Sequence, residues 1–544
     1  MDWKKLDRCW FAVTLILGTI QAWLCRSEMF PDGVQYMDFA DAWRNGDFQV
    51  AINTWRSPMY SWLIAACEAV VRPSWESEIV VVHILNWAIF VFAIFCMRSL
   101  LDALVDAQQK SEYGGNSGLP KGSLLAIGYS TFLFGALRFI GTGLVTPDML
   151  VLAIFLLCCA TLTRIHFAEK PAWAGYSKLG LFLALGYFTK SIFFPLSFVF
   201  LLSVVLSSGH KTRRVAGAMF SGVIFIALVS PWLVAIHWQS GRWMTSAFQP
   251  PLVWRLMRRD GVTPPEHQWK VLAAAPEVAG YITSVDKTFP YEYIAENLQP
   301  ALQPGNELSN VQALLRNVSS EHFIFTHYHG VLLGLFFGLV LFSDIRKTCK
   351  KLGAYCFLLL PPLAFLAGYG LLWVEYRFMP PGYVAFFIVL LAAVHVADDG
   401  TTRRIVQAMT YGVCCVMILI TLMEGGKYAW IMSKEANADV TRRVTRAMKT
   451  EGLQPGDAVA VLNIPFYQWW ARPAHLKIIA GCHEPAEFWK APSAVKKNVE
   501  TIMANYGAKW LVAEYVPTAE MDQGWDDLDG TGFYILRLPS PHTK

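Results

Sequence analysis

Charge is what this sequence has least of: Asp, Glu, Lys and Arg make up 16% of its 544 residues, against about 25% in an ordinary soluble domain. A soluble chain of this length would divide into several cores, each needing a polar surface, and there is too little charge to cover them. The formal net charge of +5 is small, and the placement of Lys and Arg matters more than their sum. No nucleic-acid partner is expected. Cysteine is present, but not as a framework. Cys9, Cys25, Cys96, Cys158, Cys159, Cys356, Cys414 and Cys415 lie inside apolar runs, where the thiol behaves as a small hydrophobe. No pair has zinc-ligand spacing in a polar loop, and Cys482 stands alone in the polar tail, which argues against a disulfide scaffold or a cysteine metal cluster. Internal repeats and low-complexity tracts are missing as well.

What is there instead is apolar. The chain is 54% hydrophobic, with 35 Phe, 21 Trp and 20 Tyr, and its mean hydropathy is +0.36. The class that remains is a polytopic α-helical membrane protein. At about 20 apolar residues per crossing, candidate spans are 9–25, 78–101, 123–141, 147–165, 173–189, 191–207, 215–237, 327–343, 353–373, 380–397 and 405–423, or about eleven crossings. Lys4, Lys5 and Arg8 precede the first, and no small-residue cleavage site stands before Arg26. That run therefore reads as a retained helix.

Orientation follows from the basic loops. Lys4, Lys5 and Arg8, then Lys211, Arg213 and Arg214, then Arg346, Lys347, Lys350 and Lys351, then Arg403 and Arg404 mark the cytoplasmic side. Segment 57–72 is apolar but short and carries Glu68. Treating it as an interfacial or re-entrant helix keeps Arg164 and Lys170 inside, with the N-terminus cytoplasmic and the C-terminus outside. Two units result: a membrane domain at 1–430, with external loops at 26–77 and 238–326, and a small extracytoplasmic α/β domain at 431–544. In the tail, residues 458–464, 476–481, 509–515 and 533–538 read as strands and 493–506 as a helix.

Ionisable residues kept at a membrane face are expensive and point to function. In "FPDGVQYMDFADAWRNGDF" (30–48), Pro31-Asp32-Gly33 is a turn signal that leaves Asp32 at the mouth of the first span. A helix follows with Tyr36, Phe39, Ala40 and Trp43 on one face and Asp38, Asp41 and Arg44 elsewhere, suited to the membrane interface. Asp32 either caps that helix or serves a reaction. Asp148, after Thr146-Pro147, is either a helix-dipole charge or a second functional carboxylate. Lys190 lies in the turn "YFTKS" and either snorkels to the headgroups or binds an anion. Glu375 and Arg377, in "VEYRFMPP", form an interface ion pair or part of a site, and Arg138 adds another cation. The topology puts all of them on one leaflet.

In order along the chain, "PDGVQYMDFADAWRNGDF", "WRSPMY", "VTPDMLVLA", "LGYFTKS" and "EYRFMPP" resemble the motifs of GT-C glycosyltransferases, nearest the protein O-mannosyltransferases and the bacterial aminoarabinose lipid A transferases. The resemblance implies a polytopic enzyme of a bacterial inner membrane that transfers a sugar from a polyprenyl-phosphate carrier on the extracytoplasmic face, with inversion. The acceptor, whether protein, lipid or glycan, is left open. It makes Asp32 and Asp148 the catalytic carboxylates, and Lys190, Arg377 and Arg138, with Tyr36 and Glu375, the substrate contacts. The partners implied are the polyprenyl-phosphate-linked sugar and membrane lipids. No cofactor is required, no metal ligands are assigned, and a divalent metal is left open. The pattern departs from the family in reading Asp-Gly where relatives have Asp-Glu or Asp-Ser, and Thr-Pro-Asp in place of Thr-Asp.

Other features fit rival readings. Glu321, His322, His327 and His329 could hold a metal or serve a polymerase or ligase of lipid-linked glycans, but the alternation of His327 and His329 does not suit one helical face. Asn317-Val318-Ser319 is a glycosylation sequon. Trp469, Trp470 and Arg472 either stack on a sugar or acceptor or pack the tail domain. A secondary transporter would show inverted repeats and midplane charge, and neither is visible.

Overall fold

The computed structural model describes residues 3–29, 31–53, 56–74, 77–110, 118–207, 211–241, 243–245, 280–281, 307–324, 329–372, 374–397, 399–434, 437–463, 468–482, 485–505 and 507–539. Most of the 238–326 loop and His327 therefore lie outside the described residues.

The apolar runs become helices because, in lipid, a backbone must satisfy its own hydrogen bonds. The first half of the chain contains α1 (Trp3–Leu24), α2 (Pro31–Asn45), α3 (Phe48–Ala51), α4 (Met59–Val71) and α5 (Glu78–Lys110). These are followed by α6 (Lys121–Leu133), α7 (Asp148–His166), α8 (Trp173–Thr189), α9 (Phe193–Leu206) and α10 (Lys211–Ser240). Next come α11 (Glu307–Phe323), α12 (His329–Leu341), α13 (Ile345–Leu372), α14 (Pro380–Ala392) and α15 (Gly400–Ile420). Among the described residues, six stretches are long and apolar enough to cross a membrane: Glu78–Gln109, Lys121–Ile140, Asp148–His166, Lys211–Gln239, Ile345–Leu371 and Gly400–Ile431. The chain is a polytopic helical membrane protein.

The spans expected at 191–207, 327–343 and 380–397 form helices of 14, 13 and 13 residues, each about 20 Å long at 1.5 Å per residue. Helix α14 starts sharply because Pro380 and Pro381 occupy its first turn, where a missing N–H costs nothing. Helix α6 runs on as a π-helix, Phe134–Ile140, and stops at Gly141, whose φ of 77° favours glycine. Helices α8 and α10 cross closely at Gly180, where an added Cβ would sit 2.4 Å from the carbonyl oxygen of Ser221. Small residues allow such backbone approach between membrane helices.

Helix α4, at 13 residues, is too short to span a bilayer core of about 30 Å. It packs with α2 beneath the end of the bundle, sharing the core through Tyr36, Met37, Tyr60 and Ile64. Helix α2 is the helix expected in the first external loop. Its polar side is not left to water: Asp38 is buried, because the tail reaches over to cover it.

The tail begins after α16 (Gly426–Lys434) and α17 (Asn437–Thr450). Its strands are β2 (Ala458–Leu462), β3 (Lys477–Cys482), β4 (Trp510–Ala513), β5 (Trp525–Asp527) and β6 (Tyr534–Arg537). They join β1 (Gly280–Tyr281), from the large loop, in the order β1-β3-β2-β4-β6-β5. The central β3-β2-β4 pairs are parallel, connected through α18 (Ala471–Ala474), then α19 (Pro485–Lys490) and α20 (Ser493–Asn505). Alternation along β2 sends Ala460 and Leu462 into one apolar cluster and Val459 and Val461 into the other. The loop strand β1 pairs antiparallel with β3, so the sheet draws on more than the 431–544 segment.

Candidate functional site

Four chain turns meet at one end of the bundle. The start of α2 carries Asp32, the start of α7 carries Asp148, the residue closing α8 is Lys190, and a short 3-10 turn, Tyr376–Phe378, carries Arg377. Arg377 lies at the centre. Its Nη2 is 2.7 Å from Asp32 Oδ2, and its Nε is 2.9 Å from Glu375 Oε1 and 3.7 Å from Asp148 Oδ2. Lys190 Nζ donates to Asp148 Oδ1 at 2.6 Å, and the hydroxyl of Thr146 donates to Asp148 Oδ2 at 3.0 Å. The ammonium also sits 3.5 Å from the centre of the Phe378 ring, a cation–π contact. It does not snorkel: Asp148 and the ring hold it inside.

Sequence reading assigned no role to Arg56, although it stands in the "WRSPMY" motif. Its Nη2 is 2.5 Å from Asp32 Oδ1, its Nε donates to Gln35 Oε1 at 2.7 Å, and its guanidinium lies 5.0 Å from the Tyr36 ring centre. Asp32 is thus held between two guanidiniums rather than serving as a helix cap. Burial alone would raise its carboxyl, but Arg56 and Arg377 together hold it down at about 2. Burial shifts the Lys190 ammonium downward despite the nearby Asp148, and it raises the Glu375 carboxyl.

Gly33 accounts for one departure from the family pattern. A Cβ there would meet Val145 Cβ at 2.7 Å, so the Asp148 loop abuts the Asp32 turn too closely for a side chain. Tyr36 is buried beside the cluster, edge-on to Tyr60 at 5.1 Å between ring centres. Arg138 is directed differently: it pairs with Glu424 on the π-turn that extends α15. Its neighbour Phe139 stacks on Tyr376 at 6.2 Å.

The histidine reading divides. His327 lies outside the described residues, and His329 is buried among aromatic rings, 4.3 Å from Tyr383 and 5.6 Å from Phe134 between centroids. That environment packs the imidazole between rings. Asn317 is buried in α11, so the sequon is not presented for modification. The tail tryptophans separate as well: Trp470 belongs to the tail core, and Trp469 packs against the membrane core. Among the described residues, one acidic trio, Asp41, Glu68 and Glu78, has carboxylate oxygens within 4.8 Å of one another. Each member already bonds a guanidinium, from Arg44 or Arg472.

The helices together define a polytopic membrane protein with a polar cluster at one end and a sheet domain above it. Its structure is similar to that of the oligosaccharyltransferase of Archaeoglobus fulgidus, at a TM-score of 0.47 and 12% identity over 94% of this chain and 68% of that one. It is similar also to ArnT from Cupriavidus metallidurans in the apo state, at 0.45 and 11% over 96% and 97%. The likeness extends to ArnT bound to undecaprenyl phosphate, at 0.43 and 11% over 97% of each chain. No family model and no curated protein sequence matches the chain.

Proposed function

We propose that this chain is an integral-membrane glycosyltransferase that moves a sugar from a polyprenyl-phosphate carrier to an acceptor on the extracytoplasmic face. The observation that carries the reading is the mutual arrangement of Asp32, Asp148, Arg377, Lys190 and Arg56 in one partly buried cluster at the helix ends. Residues 166–173, between α7 and α8, and Ser207, after α9, stand at the opposite ends of the helices that begin or end beside Asp148 and Lys190, and α10 starts at Lys211. Lys170, in the loop before α8, and Lys211 and Arg213, in the first turn of α10, lie at the ends away from the cluster, which supports an extracytoplasmic site under positive-inside orientation. A transporter would place its paired charges near the midplane instead.

The chemistry needs cations where the carrier phosphate departs and a carboxylate where the acceptor is deprotonated. In the transfer step, the bond between the anomeric carbon and the phosphate oxygen breaks, and the phosphate leaves with the electron pair. Lys190 and Arg377 take up the charge that develops there, in a site largely shielded from water. The acceptor atom bonds to the anomeric carbon, and its proton passes to Asp32. A single displacement inverts the anomeric centre.

The ion pairs add a sequence to these events. With both guanidiniums on it, Asp32 is held at about 2 and is a poor base. A phosphate that draws Arg377 away removes part of that hold, and Asp32 becomes more basic when the donor is bound. Asp148 keeps Lys190 in place throughout.

The test is turnover of radiolabelled polyprenyl-phosphate hexoses and pentoses by the purified protein, compared with D32N. Wild type should hydrolyse or transfer at least one donor, and D32N should be slower by about 100-fold or more. No turnover of any donor by wild type would remove the reading. An active D32N would remove Asp32 as base. Retained anomeric configuration in the product would remove the single displacement.

A further inference from the structure

The tail contributes one side chain that works outside its own domain. Arg472 lies on α18, after which His475, at φ 53°, turns the chain back into β3. Trp469 and Trp470 pack in opposite directions, into the membrane core and the tail core, so this short segment is pinned between the two. The Arg472 guanidinium then enters an acidic recess below. Its Nη1 is 2.9 Å from Asp38 Oδ1 and 2.6 Å from Asp41 Oδ2, and its Nη2 is 2.6 Å from Glu78 Oε1. Its Nε also donates to Glu78, Oε2, at 3.2 Å, so the pair is bidentate. The Arg472 side chain is only 5% exposed.

Asp38 and Asp41 lie on α2, the helix with Asp32 in its first turn, and Glu78 opens α5. Nine residues separate Asp32 from Asp41, and at about 100° per residue they fall on opposite sides of the helix. Helix α2 is therefore gripped from both sides, by Arg56 and Arg377 at its start and by Arg472 across from them. A helix of 15 residues has little stability alone and depends on such contacts.

We infer that Arg472 is a positioning residue. By clamping α2 to the start of α5, it makes docking of the tail domain set the place of Asp32. The fork geometry matters, because a planar guanidinium can hold Glu78 with two bonds while reaching Asp38 and Asp41, which a lysine ammonium cannot reproduce. The clamp itself stands on geometry, and its consequence for turnover rests on the glycosyltransferase reading.

The test uses the full chain with R472M, R472K, E78Q and the R472M/E78Q double variant, followed by hydrogen exchange over 31–45 and by donor turnover. R472M should speed exchange in α2 roughly ten-fold and lower kcat by about 100-fold with a smaller change in KM, the signature of a misplaced group. R472K should recover part of the loss. The double variant should lose less than the product of the two single losses, because E78Q removes a carboxylate that R472M leaves unpaired. If R472M unfolds, the milder R472K and E78Q carry the same comparison. Wild-type exchange in α2 for R472M and R472K, or single effects that multiply without coupling, would overturn the clamp. If wild type turns over no donor, the glycosyltransferase reading fails, while the exchange measurements still decide the clamp.

Discussion

Two ionic clusters flank helix α2, and they are built on opposite plans. At its start, Arg56, Arg377 and Lys190 face Asp32, Asp148 and Glu375, so charge is balanced and Glu375 remains 36% exposed. On the other side, Arg44 and Arg472 face Asp38, Asp41, Glu68 and Glu78, so acid is in excess and Glu68 is fully buried. In the proposed reaction the balanced cluster would exchange one anion for another, a phosphate taking Arg377 and releasing Asp32. In the second cluster Arg44 and Asp41 are 36% and 30% exposed, but Arg472, at 5%, is enclosed by carboxylates that hold it in place. The first suits chemistry and the second suits positioning.

Substitutions should separate the two plans. The largest effect falls on turnover at the first cluster, where D32N should cost about 100-fold to 10,000-fold in rate with a normal elution profile from size exclusion. R377M comes next, at about 100-fold to 1,000-fold in kcat, read in the same donor assay. Filling the space between the two loops is a test of packing: G33A should lower the thermal midpoint by the equivalent of about 1–3 kcal/mol, since its Cβ meets Val145 at 2.7 Å.

Acid should also distinguish them. The Asp32 carboxyl is lowered in the folded state, so the stability it contributes is complete above its unfolded value near 4 and is lost as pH falls through about 2. The gap in thermal midpoint between wild type and D32N should therefore narrow from pH 6 to about pH 3. The smallest effect is expected at Arg138, whose pair with Glu424 is partly exposed on both sides. R138M should change stability by less than about 1 kcal/mol and turnover by a few-fold, and a loss as large as that of R377M would place Arg138 in the phosphate site.

Much of this organisation is legible in the sequence, for physical reasons. Hydropathy finds the long helices because lipid imposes a continuous apolar run. The tail strands show through β-rich runs bounded by turn residues. Asp32, Asp148, Lys190 and Arg377 stand out because charge at a membrane face is costly and needs a reason. Arg56 was harder to assign, since its partner is 24 residues away and nothing local requires the contact. For Arg472 the sequence suggests only stacking or core packing, because its partners, Asp38 and Glu78, are separated from it by 434 and 394 residues. Periodicity reports which face of a helix is apolar, and it does not report that another domain covers the polar face. The burial of Asp38 is of that kind.

The central claim is that Arg377 and Lys190 receive a lipid phosphate, Arg377 leaving Asp32 to do so while Asp148 still holds Lys190. Equilibrium binding of undecaprenyl phosphate to the purified protein tests it most directly. Wild type should bind saturably, and R377M and K190M should each bind at least about ten-fold more weakly. Equal binding by wild type and both variants would contradict it.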